Sequence, residues 1–166
     1  KVLVRVGLVA YRDVGDDYVT RITPLSSDLD AVYSKLMNFR AEGGGDEPEH
    51  VRLAMSDALN AVGWSGRESR NTDYGSVNGV GRLSQVLFLV GDARPHDDYQ
   101  QYPSVQKTAA QAKDRDITAN AIQVGSIQST TPIWREVARN GGGEFFAIAQ
   151  NGGVQAVVTP YDTRLA

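Results

Sequence analysis

The amino-acid sequence predicts an α/β domain built around a doubly wound, mostly parallel sheet with one antiparallel edge strand. Short apolar, β-branched segments alternate with longer segments whose apolar residues recur every three or four positions. This alternation is typical of strands joined by helices. The segment 86–90 reads VLFLV, as expected for a central buried strand. Glycine runs at 43–45 and 141–143 indicate where two of the helices end.

The first part of the chain predicts a hairpin and then a helix. Residues 2–10 are mostly apolar and predict a buried strand. Residues 18–22 alternate apolar and polar side chains, which predicts a return strand with one covered face, ending at Pro24. Ser27 or Asp28 has the side chain of an N-cap, so a helix is expected to begin there.

A second helix is expected to open in the glycine- and acid-rich segment 43–49. Asp46 is the expected N-cap, and Glu49 three residues later completes a variant of the capping box. The apolar residues of this helix follow helical spacing: Val51, Ala54, Met55, Ala58, Leu59 and Val62. Residues 63–83 are polar and rich in glycine, which predicts a long surface loop.

The second half predicts helices and strands in alternation, which is why the sheet is expected to be parallel. A helix capped by Thr131, with Pro132 at its first position, is expected to end at the glycine run 141–143. The other expected elements are strands at 85–91, 117–124 and 144–149 and helices at 103–115 and 154–158.

The length and composition indicate one domain and argue against several classes of function. The 166 residues predict a single domain over 1–166. A net charge of −3 and scattered basic residues argue against a nucleic-acid partner. The absence of cysteine excludes thiolate metal sites and cysteine nucleophiles. No apolar run approaches the roughly 20 residues of a membrane span.

Three carboxylates are expected at one rim of the sheet, because parallel sheets bind ligands at the carboxyl ends of their strands. Asp13 follows the first strand, Asp92 follows the strand 85–91, and Asp46 opens a helix at the same end. We predict Asp46 and Asp92 as ligands of a metal ion. Hard oxygen ligands favour Mg²⁺ or Ca²⁺ over zinc.

Other interpretations of the acidic residues stay open. Asp46 is equally explained as a helix cap, and Asp92 by an Asx-turn. Asp13, Asp16 and Asp17 fit a small calcium loop less well than the turn of a hairpin.

The two histidines carry weaker predictions. His50 is expected to be an exposed surface side chain, and His96, Asp97 and Asp98 are expected in a solvated loop with a peripheral ligand role as the alternative. A zinc pair of His50 and His96 with Asp46 is conceivable, although no His-x-x-x-His spacing supports it.

Three segments carry a resemblance to a known family. GLVAYRD at 7–13, GGGDEPE at 43–49 and GDARPH at 91–96 resemble the von Willebrand factor type A (VWA) domain, which has a Rossmann-like fold. The similarity is greatest to the branch found beside alpha-kinases and in bacterial secreted proteins. The resemblance places Asp46 where the family has a metal-binding threonine, and Asp92 on the family's strand aspartate.

One family element is absent from the sequence. The Asp-x-Ser-x-Ser motif of the first central strand does not occur, so the resemblance implies an N-terminally incomplete domain. That strand would lie between the strands at 2–10 and 85–91. We expect an upstream segment or a separate bound fragment to supply it.

The resemblance implies binding rather than catalysis. The sequence lacks a Gly-x-Ser-x-Gly elbow, a phosphate loop and a dinucleotide fingerprint, so no enzymatic activity is predicted. The expected function is a protein-binding or adhesion module whose cation contacts an acidic partner group. A metal-free structural or assembly domain is the alternative, and a metal-dependent hydrolase is a third. An extracellular or periplasmic location is favoured over a cytoplasmic one.

Overall fold

The computed structural model describes residues 3–40, 42, 45–65 and 83–149. In chain order the elements are β1 (Val6–Tyr11), β2 (Thr20–Ser26), α1 (Leu29–Met37), α2 (Val51–Asn60), β3 (Gln85–Gly91), α3 (Val105–Asp114), β4 (Ile117–Val124), α4 (Thr130–Gly141) and β5 (Gly142–Ile148). None of the helices within these ranges is long and apolar enough to cross a membrane.

The strands form two sheets. β1 and β2 make an antiparallel pair, and β3, β4 and β5 make a parallel sheet in that order. The predicted α/β class, with a mostly parallel sheet and an antiparallel strand, is confirmed. Among the described residues, β1 and β3 do not pair with each other.

The core lies between the parallel sheet and helices α2, α3 and α4. Trp134 on α4 is fully buried at its centre, against the inward side chains of β3 and β4. β3 alternates buried and exposed side chains, so it is covered on one face only within the described residues. Its exposed side chains are Val86, Phe88 and Val90.

The start of α2 differs from the prediction. His50, not Asp46, is the N-cap, and its Nδ1 accepts a hydrogen bond from the Leu53 N–H at 3.3 Å. Asp46 cannot cap because the chain after it is extended: Glu49 forms a parallel bridge with Pro95. His50 is 3% exposed, so its expected place on the surface was also wrong.

Other boundaries moved by a few residues. Pro24 lies inside β2 rather than ending it: among the described strands β2 pairs with β1 alone, and an edge strand tolerates a missing N–H. Thr131 is not the cap of α4: Ser129 is, and Thr131 and Pro132 are the second and third residues of the helix. Gly142 ends α4 at φ 68°, in the left-handed region that glycine favours. The predicted helix at 154–158 and most of the loop at 63–83 lie outside the described residues.

Candidate functional site

Two carboxylates and an imidazole meet at the carboxyl ends of β1 and β3. Asp13 lies two residues beyond β1, and His96 lies in the loop after β3. His96 Nε2 is 3.1 Å from Asp13 Oδ2 and 3.6 Å from Asp46 Oδ2. One ligand atom from each residue lies within 4.8 Å of the other two. We name Asp13, Asp46 and His96 the rim cluster.

Neighbouring side chains fix the orientation of the rim cluster. The Tyr99 hydroxyl donates to Asp13 Oδ2 at 3.2 Å, and its ring stacks on His96 with centroids 4.2 Å apart. Asp98 Oδ1 lies 3.2 Å from His96 Nδ1. The His96 and Asp13 side chains are only 13% and 18% exposed, whereas Asp46 is 64% exposed. The cluster therefore has a buried base and one side open to solvent.

A short backbone bridge assembles the rim cluster from distant parts of the sequence. The Glu49 N–H donates to the Arg94 carbonyl oxygen at 3.0 Å, and the His96 N–H donates to the Glu49 carbonyl oxygen at 3.3 Å. These bonds attach the segment before α2 to the loop after β3. Asp46 and His96 are consequently held against each other.

Two buried carboxylate oxygens at this rim have no hydrogen-bond partner within the part of the chain that the structure describes. Asp13 Oδ1 and Glu49 Oε2 accept no hydrogen bond from any described residue. Buried carboxylate oxygens are normally hydrogen-bonded or coordinated to a cation. Asp13 Oδ1, which has no described hydrogen-bond partner, is the atom that best fits a bound divalent ion.

The rim carries excess negative charge. Burial, followed by the charges of Asp13, Asp16 and Asp92, raises the pKa of Glu49 from 4.5 to about 7, and His96 opposes this rise. A positive ion would relieve the same repulsion between carboxylates.

Asp92 lies at the same rim but outside the rim cluster. Its side chain is exposed, and its carbonyl oxygen accepts a hydrogen bond from the Thr130 hydroxyl at 2.7 Å. Its charge raises the pKa values of both Glu49 and Tyr11. Asp92 thus lies within electrostatic range of Glu49, and the assignment of Asp46 and Asp92 as ligands of one ion stays a prediction.

The remaining acidic turn and the second histidine have structural roles. Asp16 Oδ2 accepts from the Asp13 N–H at 3.2 Å, which closes the turn after β1. Burial lowers the pKa of His50, whose ring packs against Tyr99 and Tyr102. Because its Nδ1 caps α2, His50 does not join the rim cluster.

The burial of His96 and its place in the rim cluster were not predicted from the sequence. His96 was expected in a solvated loop, yet its side chain is mostly buried between Asp13 and Tyr99. The available signal was its position five residues beyond β3, on the rim where Asp13 was already expected.

The comparisons with known proteins identify the fold. No protein-family model matches the sequence, and no curated protein matches it. The crystal structure of BatB from Bacteroides thetaiotaomicron, a conserved hypothetical protein, is similar with a TM-score of 0.59 at 13% identity, over 90% of this chain and 73% of that chain. The SpRpn10 VWA domain is similar with a TM-score of 0.57 at 11% identity, over 91% of this chain and 67% of that chain. The chain has a VWA-like fold.

Proposed function

We propose that this VWA-like domain is a protein-binding module that holds a divalent cation at the rim cluster and contacts an acidic group of its partner. The observation that carries the proposal is the convergence of Asp13, Asp46 and His96, with ligand atoms within 4.8 Å of one another. The fold supports an interaction module. The rim cluster supports the cation.

The donor set suits a small divalent ion. Asp13 supplies a mostly buried carboxylate with an unpartnered oxygen, Asp46 supplies an exposed carboxylate, and His96 supplies a nitrogen. Carboxylates alone favour Mg²⁺ or Ca²⁺, the cations predicted from the sequence, whereas an imidazole extends the range to Mn²⁺ and Zn²⁺. Glu49 interacts electrostatically with Asp13 of the cluster, and Asp92 in turn acts on Glu49, although neither residue belongs to the cluster.

The cation explains how an acidic partner would bind an acidic rim. Without it, a partner carboxylate would meet the charges of Asp13, Asp16, Asp46 and Asp92, and like charges repel. With a cation on the open, Asp46 side of the cluster, the same carboxylate becomes an attractive ligand. The proposed role is therefore binding, and we propose no catalytic activity.

The test is a calorimetric titration of the chain with Mg²⁺, Ca²⁺, Mn²⁺ and Zn²⁺, before and after EDTA. Asp13→Asn should weaken binding of the preferred ion at least tenfold, because it removes the charge of the buried ligand. Asp97→Asn is the matched control, since Asp97 is 86% exposed and pairs with Arg94 instead. Equal affinities of the two variants, or no heat with any ion, would refute the cation site.

One observation favours a metal-free assembly domain as the second candidate. Each ring nitrogen of His96 already faces a carboxylate oxygen, at 3.1 Å from Asp13 and 3.2 Å from Asp98. Such a closed network holds two loops together without an ion. This candidate predicts no thermal shift with any divalent ion, whereas an ion bound only by the folded state raises the melting temperature.

A screen of phosphoester and peptide substrates with Mg²⁺ or Mn²⁺ tests the metallohydrolase alternative.

A further inference from the structure

A groove lies between strand β2 and the end of helix α1. Its volume is about 370 Å³, which is within the range of small-molecule sites, roughly 300–1,000 Å³. The groove shares no lining residue with the rim cluster. Its lining residues are Arg21, Ile22, Thr23, Lys35, Asn38 and Phe39. We name it the basic groove.

Four polar side chains of the basic groove are available to a ligand. Among the described residues, the side chains of Arg21, Thr23, Lys35 and Asn38 form no hydrogen bond and no ion pair. Each of them can donate a hydrogen bond, and no carboxylate lines the groove. Within the part of the chain that the structure describes, its two positive charges therefore lack a counter-charge. The lining fits a ligand that is negatively charged and rich in acceptor oxygens.

An aromatic ring orients Arg21 although this side chain is exposed. The guanidinium carbon of Arg21 lies 4.0 Å from the Tyr18 ring centroid, and that of Arg12 lies 4.7 Å from the same centroid. Such contacts order a planar guanidinium before a ligand arrives, which lowers the entropic cost of binding. Arg12 also donates to the Arg40 carbonyl oxygen at 2.9 Å. A third positive charge is therefore fixed beside the basic groove.

The end of α1 opposes the binding of an anion, but only in part. Lys35 lies in the last turn of this helix, whose C-terminus is equivalent to about half a negative charge. The Asn38 N–H donates to the Leu36 and Lys35 carbonyl oxygens, which satisfies these groups. Three cations outweigh about half a charge. The potential in the basic groove is therefore positive.

A phosphate monoester matches this lining better than a carboxylate does. It carries a charge of about −1.5 to −2 and three acceptor oxygens, which balances the charges of Arg21 and Lys35. A single carboxylate carries one charge and would leave one of the two cations unpaired. Ile22 is 39% exposed and Phe39 is half-buried, so the groove also offers apolar surface to the organic part of a ligand.

The two long segments outside the described residues do not complement the charge of the basic groove. Residues 66–82 contain three arginines, one aspartate and one glutamate, and residues 150–166 contain one arginine and one aspartate. Neither segment has a net negative charge. The chemistry of the groove therefore points to a phosphate group, carried either by a small organic molecule or by a phosphorylated side chain.

We propose that the basic groove binds an organic phosphate monoester. Arg21 and Lys35 bind the phosphate oxygens, and Thr23 and Asn38 donate further hydrogen bonds. The organic part of the ligand contacts Ile22 and Phe39. This inference does not rest on the cation site.

The first experiment is a calorimetric titration of the chain of 166 residues with phenyl phosphate. We expect phenyl phosphate to bind at least tenfold more tightly than inorganic phosphate, which has no apolar part, and than benzoate, which has a single charge. Binding should persist in EDTA, which separates this proposal from the cation site.

The second experiment locates the phosphate on the chain. Arg21→Gln and Lys35→Gln should each weaken binding of phenyl phosphate at least tenfold, because each removes one of the two charges. Lys113→Gln is the matched control: Lys113 is exposed and lies in the last turn of α3, as Lys35 does in α1. NMR of the natural chain needs no variant, and phenyl phosphate should shift the amide signals of residues 21–23 and 35–39 most.

The third experiment identifies what carries the phosphate, using a library of short peptides with a central phosphotyrosine. Peptides that bind at least tenfold more tightly than phenyl phosphate would assign the group to a phosphorylated polypeptide, whereas equal affinities would assign it to a small organic phosphate. Several outcomes would overturn the proposal. These are no heat with phenyl phosphate, benzoate or inorganic phosphate binding as tightly as phenyl phosphate, and equal losses in the Lys35 and Lys113 variants.

Discussion

Glu49→Gln is expected to remove a pH-dependent loss of stability. Burial and the charges of Asp13, Asp16 and Asp92 raise the pKa of Glu49 from 4.5 to about 7 in the folded chain. Below pH 4.5 the carboxyl is protonated in both states and contributes no difference. As the pH rises from 4.5 to 7, the unfolded chain releases this proton first, so Glu49 lowers the free energy of unfolding, fully so above pH 7.

The size of this effect follows from the pKa shift and the exposure of the side chain. A pKa shift of this size lowers the free energy of unfolding by roughly 3 kcal/mol when the group is fully shielded from water. Glu49 is only partly buried, and solvent screening reduces the energy, so we expect about 1 kcal/mol. Glutamine stays neutral and similar in shape. The variant should therefore match the natural chain at pH 4 and exceed its stability by about 1 kcal/mol at pH 8.

Urea unfolding monitored by tryptophan fluorescence at several pH values between 4 and 8 measures this difference. Glu47→Gln controls for the loss of one negative charge from the same segment, since the Glu47 side chain is 50% exposed. A stability difference between Glu49→Gln and the natural chain that is constant with pH, or that falls as the pH rises, would contradict the electrostatic account of the rim.

Two glycines test the packing between the sheet and the helices. A Cβ on Gly91 would overlap the Tyr11 hydroxyl and approach Trp134 Cζ2 at 3.3 Å, so Gly91→Ala should cost about 1–3 kcal/mol. In a Tyr11→Phe background the cost should fall, and a double-mutant cycle of thermal melts measures the coupling. A Cβ on Gly141 would overlap Ala119 Cβ and lie 2.8 Å from the Ala119 carbonyl oxygen. Gly141→Ala should likewise cost about 1–3 kcal/mol in urea unfolding, since the backbone of a central strand cannot move aside; unchanged stability would contradict this packing.

Much of the fold could be predicted because local patterns determined it. The helical spacing of Val51, Met55 and Leu59 placed those three side chains in the core, and the run 86–90 identified β3. The left-handed glycine after α4 was likewise evident from the glycine run. Such features depend on neighbours in the sequence, and they were confirmed.

The start of α2 could not be predicted because a long-range contact decides it. A local pattern favours Asp46 as the cap, but the bridge between Glu49 and Pro95 keeps the chain extended up to His50. The tilted packing of the buried His50 ring against Tyr99, with centroids 4.4 Å apart, offsets the lower capping preference of histidine. Hydrogen bonds between residues separated by almost fifty positions leave no periodic signal in the sequence.

The same bridge explains why the candidate site was only partly predicted. Asp13 and Asp92 were expected at the rim because each follows a strand, and both lie there. Asp46 was expected there as a helix cap; it lies at the rim, but His50 is the cap. Which side chains touch depends on how the two loops are joined. The bridge brings His96 to Asp46, whereas Asp92 acts on Glu49 through its charge and lies outside the rim cluster.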